Sequence, residues 1–290
     1  MRRNAAGFIW AVSFLALILR GGVADAATVA IDEFADPVGA QLLGQSGGSG
    51  FVGPWSAGGF NASIHDNYTI ASGSLTFPPL PTGGNRSSSG AVNAIAGLTR
   101  AFATPLGADH TTAYLSVLLR PEGTLGDGAF NGFFGLYLNG TNATGDDLFI
   151  GKPGANATDR YVVENRGGAG QVASGVAPVV GQNAFLVLRA DFLPGDDRFT
   201  LYLNPTPGGP EPASGAVKTD LDLGTVPGLT IYCTGAFSLD EIRVGTTFAD
   251  VAPSAVPMPS AAIGGMFLLA TIGGAKLMRR HISLRRATIR

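Results

Sequence analysis

The chain has 290 residues, 21 acidic and 19 basic side chains, 43 Gly, 18 Pro and one Cys. That much Gly and Pro argues against long helices and for many turns between short strands. The lone Cys233 excludes an intramolecular disulfide. A formal charge of −2 conceals a split, because ten cations stand against twenty carboxylates between residues 27 and 275, a net of about −10. Such a surface repels phosphate backbones, so no nucleic-acid partner is expected.

Taken in chain order, Met1-Arg2-Arg3 is a basic start, Ala5 to Leu19 an apolar run and Ala24-Asp25-Ala26 a small-residue cleavage site. Together they predict a secretory signal peptide over 1–26, removed by signal peptidase, and an exported chain. β-Branched and aromatic runs bounded by Gly, Pro, Asn or Asp then predict strands at 28–34, 68–71, 98–103, 112–120, 133–138, 148–150 and 161–164. Ala184 to Phe192 and Arg198 to Leu203 flank a Pro194-Gly195-Asp196-Asp197 turn. Pro there has φ preset and Gly after it permits positive φ, so a hairpin follows. Leu229 to Cys233 is strand-like, which makes Cys233 a small buried hydrophobe, and 237–244 closes the series. The spacing predicts an all-β fold, an antiparallel jelly-roll β-sandwich spanning 27–252.

The remainder, 253–290, has a different order: Val256-Pro257-Met258-Pro259-Ser260, an uncharged run to Ala275, then Lys276, Arg279 and Arg280. Counted from Val256 the run reaches the roughly 20 residues a membrane helix needs, and the cations after it favour a cytoplasmic C-terminus. This arrangement resembles a PEP-CTERM sorting signal, with Met258 where Glu is usual and ten residues trailing the basic cluster. The resemblance implies a transmembrane sorting helix that holds the chain in the inner membrane until an exosortase removes it; a permanent anchor is the alternative. A second resemblance rests on Phe34-Ala-Asp-Pro-Val-Gly39, Gly47-Gly-Ser-Gly-Phe51, Trp55, Leu201-Tyr-Leu-Asn-Pro205 and Leu239 to Phe248. These look like concanavalin A-like (LamG-like) jelly-roll domains, which implies two packed antiparallel sheets with the first and last strands as neighbours.

Signals for chemistry are sparse. Gly44-Gln-Ser-Gly-Gly48 matches G-x-S-x-G but has neither the strand before it nor the helix after it that a nucleophile elbow requires. His65 and His110 have no partner at metal-ligand spacing. No run of alternating carboxylates marks a glucanase strand, and Glu164 reads as an outward-facing charge. Asp32-Glu33 and Asp240-Glu241 fall on strands expected to be adjacent, so they are the candidate ligands of a structural calcium. Alternation allows one carboxylate of each pair to serve a given ion; Asp146-Asp147 and Asp196-Asp197 are alternatives, and ordinary solvated aspartates the plainer reading. Trp55, Tyr137 and Tyr202 are candidate platforms for a sugar ring, although Trp55 also suits a core position. No residue reads as catalytic. The expectation is an exported cell-surface or extracellular-matrix protein, a non-catalytic carbohydrate-associating or structural module in contact with exopolysaccharide. A glycan-active hydrolase is the alternative.

Overall fold

A computed structural model describes residues 28–123, 132–139, 147–154, 159–165 and 169–255. The segment 1–26 read as a signal peptide, Asp146, and the expected sorting motif Val256 to Ser260 with Arg279 and Arg280 lie outside these residues. In chain order the strands are β1 (Thr28–Asp32), β2 (Phe51–Ala57), β3 (Tyr68–Ala71), β4 (Arg86–Ser89), β5 (Ala96–Leu106), β6 (Thr111–Pro121), β7 (Phe134–Leu138) and β8 (Leu148–Lys152). They continue with β9 (Val162–Asn165), β10 (Val172–Ala173), β11 (Ala184–Phe192), β12 (Arg198–Leu203), β13 (Ala216–Lys218), β14 (Val226–Cys233) and β15 (Phe237–Gly245), followed by a single helical turn, α1 (Phe248–Val251).

All pairings between these strands are antiparallel, in two sheets. Sheet A runs β13-β12-β11-β6-β15-β4-β3, with β1 also on β15, and sheet B runs β10-β9-β8-β7-β14-β5-β2. The result is a β-sandwich of the jelly-roll kind, and the first and last strands are indeed neighbours, Thr28 opposite Gly245 and Asp32 opposite Ile242. Alternation puts Leu115, Val117 and Leu119 of β6 and Leu186 and Leu188 of β11 into one core with Leu98, Leu136, Ile150, Leu229 and Ile231 of sheet B. Each such side chain contributes about 1.5–3 kcal/mol by leaving water.

The opposite face of sheet A is also covered, which is why β6 and β11 read as near-continuous apolar runs. Tyr114, Leu118, Phe185, Val187 and Tyr202 pack there against Leu75, Leu80, Phe248 and Val251. Thus a strap from residue 74 to 83 and the turn α1 form a third layer. Thr247 caps α1: its hydroxyl accepts from the Asp250 amide and the Asp250 carboxylate accepts from the Thr247 amide. The predicted hairpin is present, with Gly195 at φ 90° and β11 and β12 in register from Leu186–Leu203 to Asp191–Arg198. Asp197 locks it by accepting from the Leu193 and Leu223 amides, both at 2.9 Å.

Strand β15 contains a bulge. Asp240 pairs with Leu118 and Arg243 with Ser116, so two residues stand opposite Val117, and Glu241 takes φ 54°. The bulge falls where the other edge of β15 changes partner, from β4 at Phe237–Leu239 to β1 at Ile242–Gly245.

Candidate functional site

The four carboxylates proposed for calcium do not converge. Asp32 points between the sheets, fully buried, with Oδ2 accepting from Arg100 at 2.6 Å and from the Trp55 indole at 3.0 Å, and Oδ1 from the Phe34 amide at 2.9 Å. Asp240 and Glu241, expected on opposite faces, both face the strap because the bulge resets the alternation between them. Asp240 accepts from the Ser74 hydroxyl at 2.6 Å and the Leu75 amide at 2.7 Å, Glu241 from the Gly83 amide at 2.6 Å. Burial pushes the Asp240 carboxyl up to about 8, against the pull of Ser74 and with the repulsion of Glu241. Arg243 supplies the positive charge here, 2.5 Å from Glu241 and 3.6 Å from Glu33. Among the described residues no group of three or more His, Cys, Asp or Glu side chains is assembled to hold a metal ion.

All three candidate platforms are buried and present no open ring to solvent. Trp55 is 1% exposed and stacks on Phe34 with ring centroids 6.3 Å apart, because its indole N–H is used by Asp32 inside the sandwich. Tyr137 lies on the outer face of sheet B, packed against Phe149 at 4.9 Å and Tyr232 at 5.1 Å, and is also buried. Phe133 joins this cluster whereas Phe134 enters the main core, as alternation requires. The rings rest on bare backbone: a Cβ at Gly135 would stand 2.8 Å from the Phe149 ring, and one at Gly59 2.9 Å from Tyr232. On the same face Glu164 is not the outward charge expected, being 3% exposed and hydrogen-bonded by Gln171 at 2.6 Å. Burial pushes its carboxyl up to about 7, against the pull of Gln171 and Lys218.

Tyr202 is buried too, at 6% exposed, but it borders a groove of about 510 Å³ on the outer face of sheet A, a size typical of small-ligand sites. Strand β11 contributes Arg189 and Asp191, strand β12 Arg198, Thr200 and Tyr202, and the 211–215 loop Glu211 and Ser214. Period 2 aligns the strand residues along one face. Glu211 takes three donors: the hydroxyls of Tyr202 at 2.7 Å and Tyr114 at 2.9 Å, and the Arg189 guanidinium at 3.2 Å. Although burial opposes it, these bonds hold Glu211 below the usual carboxylate range. Burial and the Glu211 charge push the Tyr114 phenol up to about 12 and raise Tyr202 as well. Arg189 also grips both oxygens of Asp191, at 2.9 and 3.0 Å, and Thr112 donates to Asp191 at 2.8 Å. Phe248 meets both tyrosine rings edge-on, so the helical turn fixes the floor.

Sequence reasoning found Tyr202 here but missed Arg189, Asp191, Arg198 and Glu211. The first three share one face of the predicted hairpin, a signal that alternation carries. Glu211 comes from a Pro- and Gly-rich loop with no periodicity to place it.

No protein-family model matches the chain, and no curated protein matches it. Among solved structures it is similar to an endo-1,3-β-glucanase from Streptomyces sioyaensis, at 10% identity and a TM-score of 0.43, over 75% of this chain and 95% of that one. It is similar also to an endo-β-1,4-glucuronan lyase from the fungus Trichoderma reesei, at 13% identity and a TM-score of 0.41, over 65% and 91% of the two chains. A third is the carbohydrate binding module CBM66 from Bacillus subtilis, at 12% identity and a TM-score of 0.36, over 64% and 99%. Likeness at this level concerns the path of the chain and says nothing of ligand or chemistry.

Proposed function

We propose that this is an exported cell-surface or extracellular-matrix protein whose β-sandwich associates with carbohydrate without catalysing its turnover. One observation carries the binding part: the groove over sheet A, where planar charged groups and hydroxyls converge in a cavity of small-ligand size. The guanidinium and hydroxyl donors of Arg198, Thr200 and Ser214 in that lining suit a polyhydroxylated ligand, whose oxygens accept hydrogen bonds. Export rests on the basic-apolar-small order at the N-terminus, and processing by an exosortase, or retention as an inner-membrane anchor, on the motif from Val256 to Arg280. Among the described residues no helix is long and apolar enough to cross a membrane; both addressing segments lie elsewhere.

The test of binding is a glycan array probed with the full chain in detergent, beside Tyr202→Ala. Retention of specific glycans that the variant loses supports the reading, whereas no retention on a broad array refutes it. Intact mass from a native-like host tests the addresses: loss of 26 N-terminal residues and of the segment after the Val256 region is the expected result.

A second reading, a glycan-active hydrolase, is favoured by Glu164, a buried carboxyl titrating near neutrality beside an aromatic cluster, as a general acid requires. Release of reducing ends that disappears in Glu164→Gln would establish it in place of the first.

A further inference from the structure

We infer that the groove over sheet A takes an acidic sugar residue, whose carboxylate pairs with Arg198. This rests on the carbohydrate reading above and narrows it to a ligand class. The argument comes from an inventory of what the lining still has to offer. Its carboxylates are already engaged: Glu211 receives three donors, and Asp191 receives Arg189 twice and Thr112 once. The charge of Arg189 is shared between those two carboxylates, with its guanidinium 5.9 Å from the Tyr114 ring centre. By contrast Arg198, Thr200 and Ser214 line the same cavity and make no side-chain hydrogen bond or ion pair among the described residues.

Among the described lining residues Arg189 is thus matched by carboxylates and Arg198 is not, which favours a ligand that brings acceptors and negative charge. Of the three, Arg198 decides the class, because a guanidinium offers two parallel N–H groups at the spacing of a carboxylate's oxygens. Its place is defined by register. Arg198 stands directly across from Asp191 on the neighbouring strand, and Arg198, Thr200 and Tyr202 follow one another on one face of β12. At about 6.6–6.8 Å per two residues, Arg198 lies about 13 Å along the strand from Tyr202. That span accommodates a short oligosaccharide with its acidic residue at the Arg198 end and a second residue at the Tyr202 end. Because the body as a whole is strongly acidic, the site suits a glycan with isolated carboxylates rather than a dense polyanion.

The experiment uses the full chain in detergent and matched oligosaccharides, one bearing glucuronic acid residues and the other its carboxyl-reduced glucose counterpart, with affinities from titration calorimetry. Wild type is expected to prefer the uronate form at least about tenfold, the scale of a charge-assisted hydrogen bond. Arg198→Gln should abolish the preference while keeping the weaker affinity for the neutral form, and Arg198→Lys should keep part of it. Arg198 is exposed at the start of its strand, so folding is expected to survive; circular dichroism checks this. Equal affinity for the two oligosaccharides, or a preference that survives Arg198→Gln, overturns the inference and leaves carbohydrate association standing. Failure to bind either, in a chain that also retains nothing on the array, removes both.

Discussion

Replacing Arg100 by Met tests whether the ion pair beneath Trp55 is as desolvated as its geometry says. The pair is 2.6 Å long with side chains 3% and 0% exposed, and Met keeps most of the aliphatic packing of Arg100 while removing the charge. Asp32 would then be held only by the Trp55 indole and the Phe34 amide. Breaking a buried pair from one side costs about 3–5 kcal/mol, because an uncompensated charge remains. At about 2–4 °C per kcal/mol for a domain of this size, the melting temperature should fall by about 6–20 °C. The assay is urea unfolding in a Trp10→Phe background, so that Trp55 fluorescence reports the site itself, with circular dichroism as a second probe. Adding Asp32→Asn should restore most of the loss, since no charge is then left to bury. The pH dependence has a definite sign. Burial, opposed by Phe34, Arg100 and Trp55, already raises the Asp32 pKa above its unfolded value. Without Arg100 it rises further, so the folded variant takes up a proton that the unfolded chain does not hold, and its deficit shrinks as pH falls. A loss below about 1 kcal/mol, or no recovery in the double variant, refutes the reasoning.

Glu164 makes stability fall as pH rises from the ordinary glutamate value of 4.5 to about 7, because the folded state retains a proton there that the unfolded chain releases. The full effect is about 3 kcal/mol, and melting temperatures of Glu164→Gln across that window should lack this slope. Tyr114 should titrate about two pH units above an ordinary phenol in ultraviolet difference spectra, and Glu211→Gln should bring it down by removing the carboxylate it faces. Gly135→Ala should destabilise by about 1–3 kcal/mol in denaturant unfolding, since its Cβ would stand 2.2 Å from the Ile150 carbonyl oxygen.

What the sequence made legible followed from side-chain period and turn chemistry. Tyr68–Ala71, Ala184–Phe192 and Arg198–Leu203 are strands at the bounds that β-branched and aromatic runs predict. The missed strands lack that signal for specific reasons. Arg86–Ser89 has no apolar residue, its serines being buried by the strands on either side. Phe51–Ala57 contains Gly53 and Pro54, tolerated because β2 is an edge strand. The pairing of first and last strands was legible through family likeness, yet the meeting of carboxylates built on it was not. Strand alternation cannot foresee a bulge at Glu241, and a bulge decides where Asp240 and Glu241 point. Nor could a single sequence show that Arg243 would neutralise Glu33 and Glu241, or that Asp32 had been claimed by Arg100 and Trp55. The groove escaped for a related reason: half its polar lining is local to one hairpin, but Glu211 arrives through tertiary packing.

The central place of β15 bears on how the chain matures. This strand, the last of the sandwich, is bonded on one side to β6 and on the other to both β4 and β1. A ribosome-bound chain that ends before Phe237 therefore leaves three strands of sheet A with unsatisfied edges and the core without Phe237, Leu239, Ile242 and Val244. Sheet A closes only after synthesis reaches Gly245, so the sandwich commits to its fold at the end of translation, not progressively from the N-terminus.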